Sequence, residues 1–170
     1  MDVNELIARE AIRDLVARYN MFGDAGRADD VAQLFTVTGT LVVGDRTATR
    51  TAVGRAQIAE LLTEIKDDWA VESDVAGHER YVRHGVTTHV IDFEAPDRAN
   101  GRCYVSVIRP SGLASWGRYY DEYVLVDGRW LFDSRKALAD TRSAARATVT
   151  GRAPRGDRVR GSSADSPVAE

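Results

Sequence analysis

Cysteine is nearly absent. Cys103 is the only one, which excludes an intramolecular disulfide and a multi-Cys zinc site. A lone thiol fits a reducing compartment, so the expected location is the cytoplasm. No apolar run approaches the ~18 residues of a membrane span. The first residues, Met1-Asp2-Val3-Asn4-Glu5, are acidic where a secretory signal is basic and then apolar. A basic surplus is missing too: Lys and Arg total 23 against 26 for Asp and Glu, and a net charge of −3 does not supply the surface that sequence-independent nucleic-acid binding needs. Neither a membrane nor a nucleic acid is therefore an expected partner.

What is present points to one folded unit. A chain of 170 residues with 44% hydrophobic content is long enough to bury a single core. Residues 142–170 carry Arg, Ser, Ala and Gly with no periodic apolar stripe, so this segment cannot offset its ordering entropy by burial. The expected division is a domain over 1–141 and a disordered tail over 142–170. Six of the arginines lie in that tail, which leaves the folded part mildly acidic.

Ile12, Leu15, Val16 and Tyr19 recur at helical spacing, predicting an amphipathic helix over 3–22, capped by Asp2 or Asn4 and ending near Gly23. A shorter helix is expected over 28–36, with Val31, Leu34 and Phe35 on one face and Asp29 or Asp30 as caps. A brief strand follows at Leu41-Val42-Val43. Ile58, Leu61, Leu62 and Ile65 predict a third helix over 55–67, followed by a polar loop at 70–80. From Tyr81 the chain becomes rich in Val, Ile, Tyr, Phe and Trp, predicting strands at 82–94, 102–109, 115–126 and 129–137. Asp127-Gly128 between the last two is a hairpin signal, because both turn positions must tolerate positive φ. Helices first and long strands afterwards indicate an α+β domain: helices packed on one face of a strongly curved, largely antiparallel sheet.

Candidate chemistry is sparse. The three histidines are His78, His84 and His89. In a regular strand, His84 shares a face with Val82, Val86, Thr88 and Val90, whereas His89 shares the other with Arg83, Gly85, Thr87 and Ile91. That parity predicts that the two cannot serve one pocket. With a single cysteine and no helical His pair, no metal site is expected. His84 gains interest from polar residues expected on the buried side of neighbouring strands: Tyr104, and the set Gly117, Tyr119, Asp121 and Tyr123. Asp24 follows the first helix, and it is free to face inward if Asp29 or Asp30 caps the second.

These segments in their order resemble the SnoaL-like group of the nuclear-transport-factor-2-like superfamily, in particular the branch that includes scytalone dehydratase. The resemblance covers about residues 4–138. It is carried by Ala11-Ile12-Arg13-Asp14-Leu15 through Arg18-Tyr19, Asp24 with Asp29, Leu34-Phe35, Gly54-Arg55 before Ile58, and Arg83-His84 followed by Thr88. Gly117-Arg118-Tyr119 with Asp121, Asp127-Gly128, Trp130 and Arg135 complete it. It implies a cone-shaped α+β barrel enclosing an apolar pocket, and an Asp-His dyad at Asp24 and His84. Thr88 stands where the family often has Asn, and the second histidine of scytalone dehydratase has no counterpart here, Tyr104 and Ser106 being nearest.

The function implied is a cofactor-independent lyase or isomerase, a dehydratase or cyclase acting on a hydrophobic polyketide-, terpenoid- or steroid-like carbonyl compound. Expected substrate contacts are Tyr19, Trp69, Thr88, Tyr104, Tyr119 and Asp121. An apolar sheet face left open by such a fold predicts a homo-oligomer. The alternative is a noncatalytic small-molecule binder or dimerising pocket protein, which has no need of the Asp24–His84 pairing. An epoxide-hydrolase Asp-Arg-Asp arrangement is not assignable from the sequence, and a ketosteroid-isomerase-like site leaves His84 without a role.

Overall fold

A computed structural model describes residues 2–72 and 81–142, with side chains at 2–67 and 81–140. His78 and residues 143–170 lie outside the described residues. Helix α1 (Val3–Asp24) buries the predicted stripe of Ile12, Leu15, Val16 and Tyr19, and adds Asn20. Asp2 caps it, its carboxylate accepting the Glu5 N–H at 2.8 Å. Helix α2 is only Ala28–Ala32 and has no side-chain cap. Asp30 instead accepts from the Arg27 Nε at 2.7 Å.

Phe35 does not continue α2 as expected; it opens strand β1 (Phe35–Asp45). The reason is long-range. Phe132 donates its N–H to the Leu34 carbonyl at 2.9 Å and pairs with Phe35, and this ladder overrides a short helical spacing. Strand β2 (Thr49–Val53) was not expected, since only Ala52 of its five residues is buried and no alternation is visible. An Asx turn joins the two, with the Asp45 carboxylate accepting from the Thr47 N–H at 2.8 Å. Helix α3 (Arg55–Glu72) runs further than predicted, so residues 70–72 are helical and not loop. Its first residue ties it to β1: Arg55 donates to the Phe35 carbonyl at 3.0 and 2.9 Å.

The remaining chain is β3 (Arg83–Ala95), β4 (Arg98–Arg109), β5 (Gly112–Val126) and β6 (Arg129–Arg142). At the β5–β6 turn Asp127 has φ 49° and Gly128 φ 76°, the backbone the hairpin signal requires. The six strands lie in the order β2-β1-β6-β5-β4-β3, antiparallel except that β1 runs parallel to β6. The result is an α+β fold with a curled mixed sheet, open at β2 and β3 and not closed into a barrel. Helix α1 packs against β3 and β6, and α3 against β1 and β2. Between them lies the core of Ile12, Leu15, Tyr19, Phe35, Leu41, Ile58, Ile91, Tyr119, Tyr123 and Phe132. No described helix is long and apolar enough to cross a membrane.

The departure with most consequence is in β3. Thr87 pairs with Tyr104 and Val90 with Arg102, so Thr88 and His89 together oppose Cys103. Thr88 sits at φ 54°, a conformation a β-branched residue rarely adopts. This bulge shifts the face parity by one residue. Below it His84 and Val86 face the core; beyond it His89, Ile91 and Phe93 do, and Val90 and Asp92 are exposed.

Candidate active site

Asp24 is the last residue of α1, where the carbonyl end of the helix disfavours a carboxylate by roughly 0.3–1 kcal/mol. His84, the second residue of β3, compensates it twice. Its ring Nδ1 lies 2.6 Å from Asp24 Oδ1, and its backbone N–H donates to Oδ2 at 3.1 Å. The two side chains are only 10% and 17% exposed. A carboxylate takes no proton-bearing role in such a contact, so Nδ1–H is the donor and Nε2 is the basic nitrogen of the neutral ring. A sequence separation of 60 positions is bridged by α1 packing along β3, reinforced by Arg9, which donates to the Ile91 carbonyl at 2.8 Å.

A second polar cluster lies deeper. Arg135 is wholly buried and clasps Asp121 with two hydrogen bonds, Nε to Oδ1 at 2.8 Å and Nη2 to Oδ2 at 2.7 Å. Its guanidinium stacks over the rings of Tyr19, Tyr119 and Phe132 at 4.1–4.2 Å. Burial works against the charge, but Asp121 more than offsets it and keeps Arg135 protonated. The Tyr123 hydroxyl donates to Asp121 Oδ2 at 2.7 Å, and His89 Nε2 lies 3.2 Å from that hydroxyl. Gly101 makes room for this contact, since a β-carbon there would stand 2.5 Å from the Tyr123 ring and hydroxyl. Burial pushes the phenols of Tyr19, Tyr119 and Tyr123 upward, drives the Cys103 thiol up to about 11, and lowers the His89 imidazole.

The expected substrate contacts separate into three groups. Tyr19 faces inward but is packed on Arg135 and edge-on to Phe35, Tyr119 and Phe132. Tyr119 is also inside, with its hydroxyl proton committed to Asn20 Oδ1 at 3.0 Å, and Asp121 is committed to Arg135 and Tyr123. Thr88 and Tyr104 point away from the core: Thr88 is exposed at the bulge and Tyr104 is 54% exposed, because Cys103 and Val105 hold the inward positions of β4. Trp69 belongs to α3, and its side chain lies outside the described residues. The expectation that His84 and His89 face opposite sides is overturned by the bulge. Arg135, Asn20 and His89 were not expected as interior polar residues; the one available signal was that Asp121, placed inward by alternation, needs a buried cation.

Among the described residues no group of three His, Cys, Asp or Glu is placed to hold a metal ion. A surface groove of about 330 Å³, lined by Asp92, Arg102, Tyr120, Glu122 and Lys136, contains neither imidazole.

Residues 4–136 match the SnoaL-like domain family. The chain belongs to the SnoaL-like family. Solved structures agree on the fold. LinA superimposes with a TM-score of 0.69 at 21% identity, covering 90% of this chain and 99% of that one. A candidate scytalone dehydratase from Novosphingobium aromaticivorans gives 0.67 at 24% identity, covering 84% and 91%. An NTF2-like protein with a cystatin-like fold from the same organism gives 0.64 at 26% identity, covering 88% and 98%. No curated protein matches the chain. Within this SnoaL-like domain the Asp24–His84 contact and the buried Arg135–Asp121 pair are two separate polar clusters.

Proposed function

We propose that this SnoaL-like protein is a cofactor-independent lyase or isomerase, a dehydratase or cyclase that acts on a hydrophobic polyketide-, terpenoid- or steroid-like carbonyl compound. The observation that carries the reading is the 2.6 Å contact between Asp24 and His84 Nδ1. A protein that only binds a ligand does not need a carboxylate at a helix C-terminus paired with an imidazole.

The contact sets the chemistry. Asp24 fixes the ring tautomer, so His84 Nε2 takes the proton from the carbon next to the substrate carbonyl as the C–H electron pair moves into an enolate. Asp24 stabilises the imidazolium that forms. In a dehydration the same Nε2–H protonates the β-hydroxyl as the C–O bond breaks; water leaves, the carbon–carbon double bond forms, and the ring is neutral again. The Tyr119 hydroxyl reaches an enolate only by exchanging its Asn20 bond, so its contribution is secondary to the dyad. The working unit in this reading is a cytoplasmic homo-oligomer.

The test is turnover of a panel of β-hydroxy ketones and phenolic polyketide-like carbonyl compounds by the parent and by His84→Gln and Asp24→Asn. Once a substrate turns over, either variant is expected to lower kcat by about 10²–10⁴, the worth of a positioned acid-base group. Variants that retain the parent's kcat would overturn the dyad mechanism, and binding without turnover across the panel would favour the noncatalytic alternative.

A further inference from the structure

The β3 bulge brings a second imidazole to the interior that the dyad does not use. His89 stands on the face of His84 but four regular residue steps and one bulge away, roughly 13 Å along the strand. We propose that His89 is a second ligand-binding imidazole, locked as the Nε2–H tautomer so that its Nδ1 accepts a hydrogen bond from a neutral, hydroxyl-bearing ligand. This inference rests on the proposed reading of the protein as a lyase or isomerase whose substrate meets His84.

Proton counting carries the argument. Asp121 accepts both Arg135 N–H groups and the Tyr123 O–H. Tyr123 has a single proton, and the carboxylate claims it: the bond is 2.7 Å and charge-assisted, roughly twice as strong as a neutral one. At 3.2 Å from that hydroxyl, His89 Nε2 has nothing left to accept, so it must donate. In the neutral ring the lone pair is then on Nδ1. The ring stays neutral because burial opposes its charge, the largest effect, and Arg135 and Arg13 add to it while Asp121 acts the other way. No protein group hydrogen-bonds Nδ1 among the described residues. The two imidazoles are thus held in opposite tautomers, His84 basic at Nε2 and His89 at Nδ1.

That asymmetry defines the ligand. An acceptor needs a donor, which a carboxylate or a ketone alone does not supply. A cationic donor meets Arg135 and Arg13, and the carboxylate that would favour it is already clasped. A hydroxyl meets neither obstacle. The same substrate that gives a carbon-bound proton to His84 would carry this hydroxyl at its far end.

The test uses the ¹⁵N-labelled full chain at pH 7, with phenol as the hydroxyl probe and anisole, which cannot donate, as its control. Long-range ¹H–¹⁵N correlation is expected to show the His89 proton on Nε2 and a pyridine-type Nδ1. Millimolar phenol should move the Nδ1 resonance toward its hydrogen-bonded position, and anisole should not. His89→Phe should weaken phenol binding about threefold to tenfold. A proton on Nδ1, a doubly protonated ring at pH 7, or an Nδ1 resonance that phenol leaves in place would overturn the proposal. Tyr123→Phe should release the tautomer; because it also strips Asp121 of a donor, the wild-type spectrum decides if that variant does not fold. His84→Gln should leave the phenol response intact, so failure of the dyad reading and failure of this one are seen separately.

Discussion

Replacing Arg135 by Met removes a fully buried cation while keeping a long apolar side chain in its place. Asp121 then retains one donor, the Tyr123 hydroxyl, in a site where its side chain is 0% exposed. Two hydrogen bonds of 2.8 and 2.7 Å disappear, together with the stacking of the guanidinium on three rings. Leaving one buried charge without its partner costs about 3–5 kcal/mol. With a urea m-value near ~1.5 kcal/mol/M for a domain of this size, the unfolding midpoint should fall by about 2–3 M. Asp121→Asn should lose less, because Arg135 keeps its three ring faces and an amide oxygen. The double variant Arg135→Met with Asp121→Asn contains no buried charge, so it should be less destabilised than the sum of the singles by on the order of 2 kcal/mol. The assay is urea unfolding followed by tryptophan fluorescence at one protein concentration. An Arg135→Met variant within about 1 kcal/mol of the parent, the range of an ordinary surface substitution, would refute the reasoning, and so would strict additivity in the cycle.

Other outcomes follow from the same geometry. His89 has its pKa lowered by burial, with Arg135 and Arg13 assisting, Asp121 opposing, and uncharged Tyr123 and Cys103 completing its surroundings. The native state therefore binds this proton less readily than the unfolded chain, so the stability His89 contributes is complete above pH ~6.5 and declines as the pH falls toward the folded value. Urea midpoints between pH 7.5 and 5.5 should drop more steeply for the parent than for His89→Gln; parallel slopes would contradict this. Tyr119→Phe removes the hydroxyl that donates to buried Asn20 Oδ1 and should destabilise by about 1–3 kcal/mol in thermal or urea unfolding. The outer sheet face exposes Val90, Tyr104, Ile108, Trp116 and Tyr120, a stretch of apolar surface that a second copy would cover. Light scattering at micromolar concentration is expected to return a dimer or larger, and Tyr104→Glu to shift it toward monomer; a monomeric parent would end this expectation.

Much of the architecture was legible because it depends on local signals. The stripe of Ile12, Leu15, Val16 and Tyr19 can bury one face only as a helix, and Asp127-Gly128 tolerates the two positive φ values that a tight hairpin demands. Strands β3 to β6 read clearly from β-branched and aromatic content. Strand β2 did not, since with one buried residue it has no period to detect, and Phe35 misled because a spacing of four fits a helix turn as well as the edge of a strand. The Asp24–His84 pairing was reached through family resemblance and not through periodicity, which says nothing about two residues on different elements.

Residue chemistry along the chain by itself determined the helix-then-sheet order, the acidic charge balance and the absence of a cysteine framework, whereas the pairing of Asp24 with His84 came from the family resemblance. Only the tertiary structure decided that His89 and Arg135 face the interior. Alternation is a reliable guide until one residue is inserted into a ladder, and nothing local announces that Thr88 will take φ 54°. The bulge exists because β3 must stay in register with β4 on both sides of Cys103 while bending round the core, a constraint set by pairing across the sheet. Its effect is to turn His89 inward and Thr88 outward. Likewise Arg135, which the sequence reading named only among the residues carrying the family resemblance, becomes the central cation because Asp121, on the neighbouring strand, needs a partner where water cannot reach.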